Sequence, residues 1–464
     1  MSERAPMDEV AVGLDVGTSG LKATVYRLSD GEIVANRKFQ YTEPEIGPGV
    51  SRARRYLEVV VGAIRAVGET YRVASVALST QMYSFVALRG GEEVIYQWNS
   101  VWPDDENAYA ALSASTEVSG CPPASLFPSY KILVARQTQP DLVILPYGLQ
   151  EYLAERLTGR RVVDRCCASA SGFRNVVQGV WNESLLEAAG LKADAMPEVV
   201  AFNQTVGPIT HEGLTDLGTI QFATGLGDGP SASYATYGIA NITANIGTSM
   251  AVRSFVTDVS NLDFSKVWTF EIASGMWVAG AISSNGCAVL DKFQDIGFLH
   301  ENEIDPSRVD NSIQFFPWEN GERSPYWSAS LRETLVGGHL RSTDEDYGAA
   351  VERGVAFTVT RMFEEINDVS TDSEMMCVAG GGANSDVLMA YLSGSLPVRI
   401  GLLEDFDYLG ARGAAYAAAE AIGAEVKRVD EMKRVVEPTH RYREVYESWR
   451  AAADKFAAFY TGRE

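Results

Sequence analysis

Apolar positions arrive as short unbroken runs near the start of the chain and at wider, helical spacing afterwards. Val10–Val16 (VAVGLDV) reads as a buried strand, Leu21–Leu28 as a second and Glu32–Tyr41 as a third. Asp30-Gly31, between the last two, is a hairpin signal because glycine tolerates positive φ. Arg54–Tyr71 then has the spacing of an amphipathic helix, and VASVALST at 73–80 returns to a strand pattern. This β-β-β-α-β opening differs from a dinucleotide-binding start, where a helix follows the first strand directly.

The same grammar returns later. Ala240–Ile246 and Ser249–Phe255 flank a second turn like a hairpin, and Asp344–Val369 reads as a long helix. Strand-like EMMCVA (374–379) leads into the glycine turn GGGANS (380–385). LGARGAAYAAAEAIG (409–423) is a helix of small residues that can approach its neighbours closely, stopping at Gly423. Arg441–Tyr460 reads as a closing helix. The expectation is an α/β chain of two halves that form a weak internal repeat, with the boundary near 236–243 and domains of residues 1–238 and 239–464.

Composition narrows the function. The net charge of −22 disfavours a sequence-independent grip on nucleic acid or an anionic membrane, so any bound phosphate must be held locally. The start, MSERAPMDEV, lacks the apolar run of a signal peptide, and five cysteines without CxxC spacing read as reduced thiols; the expected location is cytoplasmic. Four histidines, at 211, 300, 339 and 440, show no metal-ligand spacing. Carboxylates and backbone amides are left to carry the chemistry.

DVGTSG (15–20) and NIGTSM (245–250) are nearly the same turn, 230 positions apart. Gly17 lets the backbone turn tightly, Thr18 and Ser19 offer donors to phosphate oxygens, and Lys22 adds a positive charge. Asp15, at a strand end, suits a magnesium ion held through water. An ordinary Gly-Thr-Ser hairpin is the competing reading, which the second copy weakens. Asn245 there keeps the turn without a second negative charge. In FATGLGDGPSASYA (222–235), Asp228 emerges from a glycine turn at the mouth of a strand, where a general base belongs. On the residues alone, capping of a helix that begins at Pro230 explains it slightly better. GGGANS could bring backbone close to a phosphate or a flat ring. GERSPYW (321–327) reads as a structural corner fixed by Arg323 and Pro325.

In order, DVGTSGLKA, STQM, PSYKIL, LTGRRVVDRCCASASG, GLGDGPSA, NIGTS, GERSPYW, AGGGANSD and LGARGAA resemble the FGGY carbohydrate kinase family, most of all its gluconate kinase and xylulose kinase branches. The resemblance implies two actin-like, ribonuclease-H-like domains flanking a cleft for ATP and sugar. It implies Asp228 as catalytic base, Asp15 and Asp228 as the residues associated with Mg²⁺, and Gly17, Thr18, Ser19, Lys22, Gly247, Thr248 and Ser249 as phosphate loops. Gly381, Gly382 and Ala383 match the nucleotide turn. Gln81, Met82, Trp102 and Asp104 are the sugar-side candidates, with Trp102 as core and Asp104 as a helix cap the alternatives. The implied partners are ATP and a sugar, sugar acid or polyol, with neither nucleic acid nor membrane, in a possible homodimer. The implied reaction is in-line transfer of the γ-phosphoryl group.

Departures fall mainly on the sugar side, although in the nucleotide half Leu388 and Ala390 stand where the family usually has Trp and Gln. Tyr83 stands where the family has His, and Trp102-Pro103-Asp104-Asp105-Glu106 puts Glu106 in the place of an Arg, which disfavours an aldonate acceptor such as gluconate against a ketopentose or polyol. A catalytically silent relative that senses nucleotide or sugar is the rival reading. Retention of Asp15, Asp228 and both GTS turns argues against it.

Overall fold

Strict alternation in the first strand, Glu9–Val16, sorts its side chains onto two faces. Val10, Val12, Leu14 and Val16 join a core with Tyr56, Val60, Ala63 and Ile64 of the helix Arg54–Gly68. The opposite face carries Ala11, Gly13 and Asp15. Against it lies the helix Leu409–Ala421, so closely that a Cβ on Gly13 would overlap the backbone of Ala411 and Ala415. That approach explains why the helix is written almost wholly in alanine and glycine.

The computed structural model describes residues 7–295, 308–367, 374–403, 406–428 and 432–462. Two compact units divide the chain: Met1–Thr236 with Thr269–Trp277 and Tyr408–Val429, and Tyr237–Trp268 with Val278–Asp407 and Asp430–Glu464. Nothing in the hydropathy pattern foretold the two later segments of the first unit.

The first unit is built on a six-stranded sheet ordered Gly207–Pro208, Gln221–Gly227, Arg72–Thr80, Glu9–Val16, Gly20–Arg27, Ile33–Gln40. Glu9–Val16 runs antiparallel to Gly20–Arg27 and parallel to Arg72–Thr80, which in turn runs parallel to Gln221–Gly227. A second sheet of four short strands, Val50–Arg52, Glu92–Tyr96, Phe85–Arg89 and Val143–Leu145, was not read from the sequence, because such brief runs carry little periodic signal.

The sheet of the second unit contains, in order, Met276–Ser283, Met250–Val256, Ile242–Ile246, Met375–Ala379, Arg399–Leu403 and Met432–Val436. Ile242–Ile246 is antiparallel to Met250–Val256 and parallel to Met375–Ala379, and the latter is parallel to Arg399–Leu403. The two sheets therefore share one connectivity around their central hairpins, and the repeat seen weakly in sequence is a repeat of topology.

Most long elements fall where periodicity puts them. The helix expected over 344–369 is Asp344–Asn367, its last two residues and His300 lying outside the described residues. The helix expected from Pro230 begins two residues earlier and spans Asp228–Tyr234. Among the described residues, no helix is long and apolar enough to cross a membrane. None of the five cysteines is in a disulfide.

Candidate active site

In the first unit the chemistry gathers where Glu9–Val16 and Gln221–Gly227 end. Asp15 is registered against Lys22 across the hairpin and against Ser79 on the parallel strand, so an ammonium and a hydroxyl flank its carboxylate. Ser79 Oγ donates to Asp15 Oδ1 at 2.7 Å. Burial pushes the Asp15 carboxyl up to about 6; Ser79 opposes the rise, the negative charge of Asp228 adds to it and Lys22 opposes it. A Cβ on Gly410, in the small-residue helix, would stand 2.9 Å from the Asp15 carboxyl carbon. Only glycine lets the carboxylate fit there.

Asp228 reaches the same corner from the other strand. Gly225 has φ +69° at a register shift, and a Cβ there would overlap the carbonyl of Leu78. A Cβ on Gly227 would strike the Met82 thioether. These two glycines draw the strand end inward, and the chain then turns into Asp228–Tyr234. Asp228 is exposed, and its Oδ1 accepts from the Gly229 amide at 2.8 Å. The N-cap position belongs to Gly227, which makes no side-chain cap bond, and the Asp228 carboxylate takes a first-turn amide with one oxygen. Ser231 Oγ donates to Gly410 O at 2.8 Å, which ties this helix to the one that abuts Asp15.

The Gly17–Gly20 turn is braced from beneath. Gly17 N donates to Gly20 O at 3.0 Å, the Tyr41 hydroxyl to Gly17 O at 2.6 Å, and Arg55 Nη2 to Thr18 O at 3.4 Å. Arg55 lies 4.2 Å from the Tyr41 ring centroid. Neither residue was singled out from sequence, since each is separated from the turn by dozens of positions. Ser19 is exposed, while Thr18 and Lys22 are half-buried.

The sugar-side candidates separate. Gln81 is buried, accepting weakly from Thr18 Oγ1 at 3.5 Å and donating to the Tyr56 hydroxyl at 3.1 Å. Met82 is buried beneath Gly227. Trp102 is not an open stacking surface: it is core, 5.8 Å from Phe85 and 5.2 Å from Tyr96 between centroids, with Nε1 bonded to Ser100 Oγ. Asp104 is exposed and accepts from Tyr109 at 3.4 Å; the helix cap is its neighbour Asp105, which takes the Ala108 amide at 2.7 Å. Glu106 is exposed in the first turn of Glu106–Ser119, where a carboxylate complements the helix dipole. Its charge therefore has a local explanation.

The accessible aromatic is Trp98, 40% exposed, whose Nε1 donates to Thr18 Oγ1 at 3.1 Å. Its signal was present in sequence: it follows the alternating strand Glu92–Tyr96 and sits among polar Gln97, Asn99 and Ser100.

In the second unit the NIGTS turn repeats the frame. Asn245 is registered against Ala379 where Asp15 meets Ser79, and against Ala251 where Asp15 meets Lys22. All three charged or hydroxyl-bearing groups of the first corner are thus replaced by neutral ones. Gly247 N donates to Ser249 O at 3.0 Å, and its own carbonyl accepts from Cys287 N at 2.7 Å. Gly380 has φ +93°, and a Cβ there would lie 2.5 Å from Ile246 O; a Cβ on Gly382 would lie 2.5 Å from the Ile246 side chain. Glycine is required for the 380–382 turn to lie against the strand end. Thr248, Ser249 and Gly381 are exposed, Gly247 and Ala383 are half-buried, and Gly382 is buried. GERSPYW is the expected corner: buried Glu322 accepts from Ser283 Oγ at 2.9 Å and the Arg323 amide at 2.8 Å, beneath the Ser283–Cys287 turn that holds Gly247.

Residues 10–234 match the N-terminal domain of the FGGY family of carbohydrate kinases, and residues 277–422 match its C-terminal domain. A gluconokinase of Bacillus subtilis (strain 168) is 21% identical over 481 residues, covering 95% of this chain and 93% of that protein. A xylulose kinase of Streptomyces rubiginosus is 26% identical over 397 residues, covering 81% and 80%. Of solved structures, gluconate kinase from Lactobacillus acidophilus gives a TM-score of 0.86 at 20% identity, covering 98% of this chain and 100% of its own. Plasmodium falciparum glycerol kinase with ADP gives 0.81 at 14% identity, covering 98% and 99%. With both domain patterns in order on two sheets of one topology, the chain belongs to the FGGY family of carbohydrate kinases, ATP-using phosphotransferases with an actin-like fold.

Proposed function

We propose that the protein transfers the γ-phosphoryl group of ATP to a hydroxyl of a small sugar or polyol, with Asp228 as general base. The observation that carries this is the approach of Asp228 to Asp15, near enough for its negative charge to act on the Asp15 carboxyl, with Asp15 packed against Gly410 of the small-residue helix and the Asp228–Tyr234 helix tied to the same residue through Ser231. A structural acid needs no second acid beside it. On this reading the first unit, which includes Thr269–Trp277 and Tyr408–Val429 beyond the expected boundary at 238, serves the acceptor, and the second unit serves the nucleotide.

The donor set at Asp15 and Asp228 fits Mg²⁺: it is all oxygen, and burial first, with the negative charge of Asp228 adding to it, raises the Asp15 carboxyl, a cost that a divalent cation would relieve. When bound, that ion neutralises charge on the phosphates. The chain's own residues do the rest. Asp228 accepts the proton of the attacking hydroxyl while the new O–P bond forms. The bond from the γ-phosphorus to the β–γ bridging oxygen breaks, and ADP leaves. Thr18, Ser19 and Lys22 in the first unit, and Gly247, Thr248 and Ser249 in the second, supply donors to phosphoryl oxygens. Gly381, Gly382 and Ala383 receive the nucleotide. Trp98 offers the sugar an apolar face in place of Trp102.

A neutral ketose or polyol is the acceptor best matched. Tyr83 packs edge-on against Phe127 at 5.4 Å and Phe270 at 6.3 Å, so the side chain at this position is a neutral phenol, with no imidazolium to hold a carboxylate. ADP release with ATP and Mg²⁺ across gluconate, xylulose, ribulose, glycerol, erythritol and inositol tests the proposal. One acceptor should stimulate release, and Asp228→Asn should lower the rate about 10²- to 10⁴-fold. Nucleotide binding without stimulation by any acceptor, or an Asp228→Asn variant as active as the parent, would overturn it.

A further inference from the structure

Lys131 is the one residue of the PSYKIL motif whose type the packing does not explain. It sits in the helix Pro128–Thr138, within the unbroken buried run Pro128–Ala135, and is 0% exposed. Lysine is seldom fully buried, since an ammonium loses its hydration there. If filling space were the task, an apolar side chain would do it at lower cost.

What an apolar side chain cannot do is hold three carbonyls. Lys131 Nζ donates to Tyr83 O at 3.0 Å, Gln97 O at 2.9 Å and Trp98 O at 2.9 Å. An ammonium has three hydrogens, and here each has an acceptor. The acceptors lie on two separate loops. One is the Gln81–Tyr83 turn, where Tyr83 has φ +62°, a conformation bulky residues rarely adopt and keep only when neighbours enforce it. The other is the Gln97–Trp98 loop after the strand Glu92–Tyr96.

Both loops converge on the Gly17–Gly20 turn. Gln81 N donates to Val16 O at 3.2 Å, and Thr18 Oγ1 stands between Gln81 Oε1 at 3.5 Å and Trp98 Nε1 at 3.1 Å. We propose that Lys131 is a positioning residue for the acceptor: by tying the Tyr83 turn to the Trp98 loop it sets the two walls against which the sugar is oriented toward Asp228. This rests on the reading that the acceptor binds to the first unit beside Trp98. Lys131 touches neither substrate; it acts through the backbone of the residues that do.

Lys131→Met removes the three donors at nearly constant volume. Two readouts are needed. In hydrogen exchange on the free protein, amides of residues 81–86 and 97–101 should exchange faster while those of Arg54–Gly68 and Glu9–Val16 keep their protection. In steady-state kinetics, kcat/KM for the acceptor should fall about 100-fold through a raised acceptor KM, the scale of loss from misplacing a reactant by about 1 Å, with the KM for ATP unchanged. Lys131→Gln, which keeps two donors, should fall between the two, and it carries the same test alone if the Met variant does not fold. Exchange that rises evenly through the unit, or an acceptor KM equal to the parent's, would overturn the proposal by making Lys131 an ordinary staple or an idle group. The exchange experiment needs no acceptor. If no sugar stimulates turnover, the kinase reading fails and the acceptor role of Lys131 fails with it, while confinement of faster exchange to the two loops separately shows that Lys131 ties them together.

Discussion

Replacing Asp15 by Asn should make the protein more stable and, on the proposed function, inactive. Burial and the charge of Asp228 hold the Asp15 carboxyl at about 6 against an ordinary 3.8. A carboxyl raised in the folded state binds its proton more tightly there than in the unfolded chain. Folding stability is therefore lost as pH rises from 3.8 toward 6, and the loss is complete above that window. The shift of about 2 units corresponds to roughly 3 kcal/mol, an upper figure because Asp15 is only partly shielded from water. Asn keeps an acceptor for Ser79 Oγ and carries no charge. Urea unfolding in the presence of EDTA at pH 4, 6 and 8 reads the effect. The variant should match the parent near pH 4 and exceed it by about 2 kcal/mol at pH 8, with most of the gain appearing below pH 7. Mg²⁺ should then stabilise the parent and leave the variant unchanged. A variant less stable than the parent at pH 8, or a difference constant across pH, would refute the claim that Asp15 is held charged against its surroundings.

Three further outcomes follow from the geometry. Gly225→Ala, at φ +69° with a Cβ overlapping the Leu78 backbone, should cost about 3 kcal/mol or more, whereas Gly227→Ala meets the Met82 side chain and no backbone and should cost about 1–2 kcal/mol; urea midpoints compare them. Trp102→Ala should lose about 3–5 kcal/mol of stability, while Trp98→Phe should lose about 1 kcal/mol or less and instead raise the acceptor KM, a contrast read by unfolding and kinetics together. Gly380→Ala, at φ +93° with a Cβ 2.5 Å from Ile246 O, should weaken ADP binding about tenfold or more by calorimetry, with acceptor affinity unaltered.

The long elements and the glycine turns were legible from sequence because each carries its own local signal. Alternation marks Glu9–Val16, helical spacing marks Arg54–Gly68, and glycine marks the places where backbone must pass backbone. Asp15, Asp228 and both GTS turns stood out for that reason. The substitution of Asn245 for Asp15 also kept its meaning: the second corner repeats the frame and replaces its charged and hydroxyl groups by neutral ones.

Only the folded structure decided which groups converge from distant positions. Trp102 and Trp98 are both loop tryptophans in sequence, and burial against Phe85 and Tyr96 is what makes one core and leaves the other exposed on Thr18. Arg55, Tyr41, Ser79 and Lys131 owe their roles to partners far along the chain, such as Thr18, Gly17, Asp15 and Tyr83. The helix Leu409–Ala421 joins the unit that begins at the other end of the chain because its Gly410 and Gly413 allow contact with Asp15 and Ser231, and Gly13 allows contact with its alanines. A periodic pattern records how one segment meets an apolar surface. It does not record which surface, and a hydrogen bond or a raised pKa depends on that choice.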